Sequence, residues 1–119
     1  ALARRDLPGR EGKSFVPQQG VVEHVNQLLE EIQRSLYERA LRFREEHTAD
    51  VSTYEELKEA VQTGFARAYW AGSREDEDRV QEETRATIRV IPFEQPEKAG
   101  KCILTGKETS QQVIFARAY

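Results

Sequence analysis

Apolar positions recur every three or four residues from Val21 to Phe43. Val21, Val25, Leu28, Leu29, Ile32, Leu36, Ala40 and Phe43 fall on one stripe, which predicts a single long helix from about Gly20 to His47. The other face carries Glu30, Glu31, Arg34, Glu38, Arg42, Glu45 and Glu46. Glu30 with Arg34 and Glu38 with Arg42 are i,i+4 pairs in the favourable order, each worth roughly 0.2–0.5 kcal/mol. Mixed charge of this kind reads as a solvated helix face. Ahead of the helix, residues 1–18 predict a β-hairpin. Leu2 and Arg4-Arg5 lie on a short run ending at Asp6, Pro8-Gly9 and Gly12 mark a loop, and Ser14-Phe15-Val16 returns until Pro17 stops it. Two strands alone are marginal in water, so the hairpin is expected to find sheet partners upstream of Ala1.

Beyond the long helix the pattern shortens. Thr48-Ala49-Asp50-Val51 reads as a break. Ser52 and Glu55 have the spacing of a capping box, with Tyr54, Leu57 and Val61 as the buried face of a second helix and Gly64 ending it. Residues 65–71 alternate large and small and predict a strand. Ser73 is an N-cap candidate for a third helix, Arg74 to Thr84, whose first turn is filled by Glu75, Asp76, Glu77 and Asp78. Ala86 to Ile91 predicts the next strand, closed by Pro92, and Phe93 to Gly100 a loop. Cys102-Ile103-Leu104 and Val113 to Tyr119 predict the last two strands, joined through Gly106-Lys107. The order is that of a small α/β (α+β) domain with a mostly antiparallel sheet, and its expected core is Trp70, Val80, Ile88, Val90, Ile103, Val113 and Phe115. The pentapeptide F-A-R-A-Y occurs at 65–69 and 115–119. Five residues are too few for a structural repeat, and two strands with alternating small residues explain them.

Composition narrows the field. At 119 residues, with 33% charged and 38% apolar positions, the chain suits one domain, or a small domain plus part of another. No apolar run approaches the roughly 20 residues that span a bilayer, and no apolar segment follows Arg4-Arg5 as it would in a signal peptide. One Cys excludes an internal disulfide. The net charge of −3 means that any RNA contact must come from a local basic patch.

Candidate chemistry is sparse. His24 and His47 sit far apart on the long helix and read as structural residues. There is no Gly-rich phosphate loop and no histidine pair at metal spacing. The acidic run 75–78 points in four directions around a helix and reads as an N-terminal charge complement rather than a metal site. C-I-L-T-G-K at 102–107 looks like half of a zinc knuckle with Thr105 where a second Cys would stand, and one thiol cannot hold a structural zinc. Arg67, Arg89 and Arg117 sit in otherwise apolar strands, where each either pairs with a carboxylate, the default, or reaches an anion. Arg4, Arg5, Arg10 and Lys13 form the one locally basic region, either a patch for an RNA backbone or an exposed turn.

One family carries these motifs together. E-E-T-R-A-T-I-R-V-I-P-F at 82–93, G-K-C at 100–102 and the terminal F-A-R-A-Y resemble prolyl-tRNA synthetases of the archaeal and eukaryote-like type. A-R-R-D at 3–6, L-L-E-E-I-Q-R-S-L-Y-E-R-A at 28–40 and S-T-Y-E-E-L-K-E-A at 52–60 extend the resemblance over essentially the whole chain. The resemblance implies that 1–47 is the end of an anticodon-binding domain, with its terminal hairpin and linking helix, and that 48–119 is the C-terminal domain. It implies tRNA(Pro), proline and ATP with Mg as partners of the parent ligase, which forms prolyl-adenylate in a catalytic core absent from this chain. It also implies a homodimer, a cytoplasmic setting, packing of the last domain on its own catalytic domain, and a Tyr119 carboxylate near the active site. Arg4, Arg5, Arg10 and Lys13 would then face tRNA.

The chain departs from the family at its zinc site. Many members use C-x-x-x-x-C after the Trp and C-x-x-C in the hairpin. Here the four places are Ala71, Asp76, Cys102 and Thr105, so zinc is not expected and the core must hold the domain. The competing reading is a free-standing tRNA- or protein-interaction module without catalytic activity.

Overall fold

The computed structural model describes residues 1–118, so the expectation for Tyr119 lies outside the described residues. The chain forms two compact units, Ala1–Glu45 and Glu46–Tyr119.

In the first unit, β1 (Leu2–Ala3) and β2 (Lys13–Ser14) pair antiparallel with Leu2 opposite Ser14. The hairpin is shorter than the sequence suggests, and Phe15 is left exposed beyond it. Gly12 is where the loop closes. A Cβ there would lie 2.6 Å from the Arg4 carbonyl oxygen and 2.8 Å from that of Leu7, so only glycine allows the Arg4 N–H to reach the Gly12 carbonyl at 2.7 Å. The long helix α1 follows at Val21–Glu46. Val21, Val25, Leu28, Ile32 and Leu36 are half-buried, as one stripe should be. Leu29 and Phe43, however, are exposed, and no residue of α1 is fully buried.

The second unit is a four-stranded sheet of order β3-β4-β8-β5, flanked by two helices. Its strands are β3 (Thr48–Asp50), β4 (Phe65–Tyr69), β5 (Ala86–Val90) and β8 (Gln112–Arg117). β6 (Gly100–Lys101) and β7 (Glu108–Thr109) form a separate small hairpin. β3 corrects the expected break at 48–51. It pairs parallel with β4, and the Phe65 N–H donates to the His47 carbonyl at 2.8 Å. The other pairings in this sheet are antiparallel, so the mixed α/β class with a mostly antiparallel sheet holds. The two strands that carry F-A-R-A-Y pair with each other, but the pentapeptides meet only where Ala66 stands opposite Phe115; Arg67, Ala68 and Tyr69 stand opposite Ile114, Val113 and Gln112.

The helices are α2 (Tyr54–Ala60) and α3 (Arg74–Thr84). The α3 cap is Ser73, as the sequence suggests, reciprocated by Asp76. The α2 cap is shifted by one residue. Thr53 and Glu56 form the box, and Glu56 accepts from the N–H groups of both Ser52, at 2.8 Å, and Thr53, at 3.2 Å. Both pairs fit the S/T-x-x-E spacing, and the Thr53–Glu56 pair has the advantage of satisfying two amides with one carboxylate. The helix gives way at Val61 and a turn runs on to Gly64, three residues beyond the cap.

The core lies between helices and sheet: Leu57, Val61, Ala66, Ala68, Trp70, Val80, Ala86, Cys102, Val113 and Phe115, with Ile88 and Ile103 partly covered. Trp70 meets Phe115 edge-to-face at 5.3 Å between ring centroids. Val90 is not part of it. A bulge between Ile88 and Val90 inserts Arg89, so Ile88 stands opposite Phe115 while Val90 stands opposite Ile114. One extra residue reverses which face every later side chain takes. A carboxylate oxygen of Glu77 on α3 accepts the Ile88 N–H at 3.2 Å beside this irregularity.

Candidate nucleic-acid interface and the Cys102 knuckle

The basic hairpin has a built interior. Asp6 is almost wholly enclosed, its side chain 1% exposed. The Arg4 guanidinium meets it as a two-pronged fork, at 3.1 Å from Nε and 2.8 Å from Nη2, and extends Nη1 to Glu31 of α1 at 3.0 Å. This fork ties the hairpin to the helix inside the first unit. Arg4 holds the Asp6 carboxyl below its ordinary range, against the opposing effect of burial, and Ser35 lowers it further. A carboxyl with a lowered folded-state pKa stabilises above its unfolded value, here 3.8, and that contribution is lost as pH falls through the lower folded value. Asp6→Asn is therefore expected to lower the melting temperature at neutral pH and to make little difference in strong acid. Paired melting curves at both pH values would check this; an equal deficit at both would contradict it.

With Arg4 committed to two carboxylates, the free cations are the others. Arg5, Arg10 and Lys13 are exposed, and none has an ion-pair partner among the described residues. The hairpin thus presents three solvated cations on a loop held by Gly12 and the Arg4–Asp6 fork. Such groups suit phosphate contacts and fix orientation without reading sequence.

The strand arginines divide. Arg67 pairs with Asp50 of the neighbouring strand at 3.3 Å, the default expected for it. Arg117 instead donates from Nε to the Thr84 carbonyl at 2.8 Å, sealing the C-terminal end of α3. Arg89 is the exposed residue of the bulge.

Residues 102–105 are not the expected strand. They form the turn of the β6–β7 hairpin, closed by the Cys102 N–H to Lys107 carbonyl bond at 2.7 Å and the Gly106 N–H to Cys102 carbonyl bond at 2.9 Å. The Cys102 side chain is buried and its thiol is free. Burial pushes the thiol pKa up, but the Thr105 hydroxyl and the N–H groups of Thr105, Ala71 and Leu104 outweigh it, and the net shift is downward. Three of the four positions expected around a knuckle, Ala71, Cys102 and Thr105, therefore do meet. Asp76, the fourth, is turned to the Ser73 N–H at 2.9 Å. One thiol, a hydroxyl and a methyl do not make a zinc site, which requires four ligands. Among the described residues no three His, Cys, Asp or Glu side chains are grouped as a metal would need. Cys102 is buried in the same core cluster as Trp70 and Phe115.

A cluster between α2 and α3 has no counterpart in the sequence reading. Lys58 bridges Glu55 at 3.2 Å and Glu83 at 3.5 Å while lying over the Tyr54 ring at 4.6 Å, and Arg79 grips Glu83 at 2.9 Å. The buried Tyr54 hydroxyl makes no hydrogen bond. Burial first, and Glu83 close by but out of hydrogen-bond geometry second, push its pKa up to about 12. The i,i+4 spacing of Arg79 and Glu83 was readable from the chain; the Lys58 link depends on tertiary packing.

Comparison with known proteins gives a consistent result. The family model described as "Prolyl-tRNA synthetase, C-terminal" matches residues 54–119. A protein named "Proline--tRNA ligase" from Roseiflexus sp. (strain RS-1) is 71% identical over all 119 residues, which make up 25% of its own length. One of the same name from Chloroflexus aurantiacus (strain ATCC 29366 / DSM 635 / J-10-fl) is 66% identical, again over the whole chain and 25% of its length. "Proline--tRNA ligase, chloroplastic/mitochondrial" from Arabidopsis thaliana is 45% identical over 99% of this chain and 22% of its own. The chain spans about a quarter of the length of the curated relatives it matches.

Proposed function

From the premise that this chain belongs to the prolyl-tRNA synthetase C-terminal family, we propose that it is the C-terminal portion of an ATP-dependent proline–tRNA ligase. The observation that carries this reading is identity of 66–71% along all 119 residues to proteins bearing that name. Activation of proline by ATP with Mg, and its transfer from prolyl-adenylate to tRNA(Pro), belong to a catalytic core outside these residues. Residues 1–47 end the anticodon-binding domain, and 48–119 form the C-terminal domain. The ligase works as a homodimer, and its setting is the cytoplasm. No helix is long and apolar enough to cross a membrane among the described residues.

Within this chain the role is to hold and orient tRNA. Arg5, Arg10 and Lys13 contact the RNA backbone, and Arg4 keeps the hairpin in shape through Asp6 and Glu31. Support comes from their solvated, unpaired state on a loop that is otherwise tied down. Tyr119 is assigned to the neighbourhood of the active site, a reading that rests on the family resemblance of F-A-R-A-Y at 115–119. In the complete ligase, replacing Arg5, Arg10 and Lys13 by Ala is expected to raise KM for tRNA, leave KM for proline unchanged, and flatten the salt dependence of tRNA binding. Each lost contact to single-stranded RNA should reduce the log–log slope by about 0.7. An unaltered slope removes the hairpin from the account. In the same assay, deletion of Tyr119 should lower kcat with tRNA binding intact; unchanged kcat reduces that residue to packing.

A further inference from the structure

Arg85 ends α3 in the left-handed conformation, at φ 62° and ψ 10°, and is the one non-glycine residue with positive φ among the described residues. Glycine takes this conformation without steric cost and is favoured there, whereas any residue with a Cβ is strained. No contact of the side chain offsets the strain. Arg85 is exposed, and its guanidinium has no hydrogen bond or ion pair among the described residues. Of the two carboxylates just before it, Glu83 is taken by Arg79 at 2.9 Å and Lys58 at 3.5 Å, and Glu82 forms no ion pair. A cation does suit the negative end of a helix dipole, and α3 has no basic residue in its last turn. An arginine inside that turn would supply the charge on unstrained backbone, so the dipole does not account for an arginine at this position. A second arginine stands beside it. Arg117 is exposed, lies opposite Ala86 across the β5–β8 pairing, and donates from Nε to the Thr84 carbonyl at 2.8 Å. Its guanidinium is thus pinned to the backbone next to Arg85, while its two Nη groups have no partner among the described residues. Two cations on neighbouring backbone with no carboxylate engaging them repel each other, and an anion shared by both relieves this. Backbone strain at an exposed, unpaired group of this kind belongs to functional positions.

We propose that Arg85 and Arg117 form a phosphate-binding pair for the single-stranded 3′ end of tRNA, separate from the cations of the hairpin. This rests on the reading of the chain as part of a ligase. The occupant follows from chemistry and from place in the chain. Unpaired guanidinium forks match phosphate oxygens. Arg117 lies two residues before Tyr119, assigned above to the neighbourhood of the active site, and the RNA that comes there is the end that receives proline. Arg117, fixed by the Thr84 carbonyl, sets the position of the phosphate, and Arg85 adds the second charge.

The test measures tRNA binding by the complete ligase across a salt series, with tRNA(Pro) either intact or lacking its single-stranded 3′ end. Arg85→Gly should keep the melting temperature at or above that of the parent, because glycine relieves the strain. It should weaken binding of the intact tRNA and reduce the log–log salt slope by about 0.7. The tRNA without its 3′ end should bind parent and variant alike. Arg85→Lys, which restores the charge, should recover the slope. An unchanged slope for Arg85→Gly, equal weakening with both tRNAs, or a lower melting temperature, which makes Arg85 a structural cap, each overturns the proposal. So does loss of proline-dependent ATP–pyrophosphate exchange, a half-reaction that needs no tRNA, since the pair would then serve ATP or the catalytic core. Charging of tRNA(Pro) by the unmodified polypeptide separates the two readings. With charging present, any of these failures removes only the arginine pair; no charging removes the ligase reading on which it rests.

Discussion

Phe115→Ala should leave the C-terminal unit unfolded or nearly so at physiological temperature. The ring is fully buried on β8, the strand that pairs with both β4 and β5. It stands opposite Ala66 on one side and Ile88 on the other, and packs edge-on against Trp70. Truncating a buried phenylalanine costs about 3–5 kcal/mol, through lost transfer energy plus the cavity left behind. Domains of this size have about 5–15 kcal/mol in all, and small ones sit at the low end. The small residues around it, Ala66, Ala68 and Ala86, cannot move in to fill the space. Denaturant unfolding followed by Trp70 fluorescence reads the loss directly. A midpoint within error of the parent would mean that this core does not hold the domain.

Gly64→Ala should have the second largest effect, and for a different reason. A Cβ at Gly64 would sit 2.4 Å from the His47 carbonyl oxygen. That oxygen is backbone and is already engaged by the Phe65 N–H at 2.8 Å, so it cannot retreat without breaking the first rung of the β3–β4 pairing. Overpacking against flexible side chains costs about 1–3 kcal/mol, and a clash with paired backbone belongs at the top of that range or above. Amides of β3 and β4 should lose hydrogen-exchange protection ahead of those of β8. Uniform loss across the sheet, or none, would contradict this local account.

How much of this was readable from the chain depends on the range of the interaction. α1 and α3 follow from periodicity and caps, which are local. Ser73 with Asp76 needed only a spacing of three. β3 was missed because Thr48-Ala49-Asp50 has no apolar alternation; it becomes a strand only by pairing with Phe65–Arg67, some seventeen residues away. The turn at 102–105 read as a strand because Cys-Ile-Leu has strand character, while the bonds that hold it as a turn include one from the Ile103 N–H to the Tyr69 carbonyl, distant in the chain. Val90 was placed in the core because alternation cannot anticipate a bulge. At the candidate site, the four cations were visible as a cluster. That Arg4 is spent on a buried Asp6 was not, since an Asp near a turn is ordinarily exposed. Gln95, whose side chain bonds to the Pro92 carbonyl and to the backbone of Gln112, gives no sign of its role in the sequence at all.

The central claim is that these residues belong to a proline–tRNA ligase. The measurement that tests it most directly is aminoacylation of tRNA(Pro) by the complete native polypeptide, with and without proline and ATP. The account predicts charging that requires both and discriminates against other amino acids. A folded, intact polypeptide that charges no tRNA with proline would contradict it and leave the hairpin and its cations as parts of a stand-alone binding module.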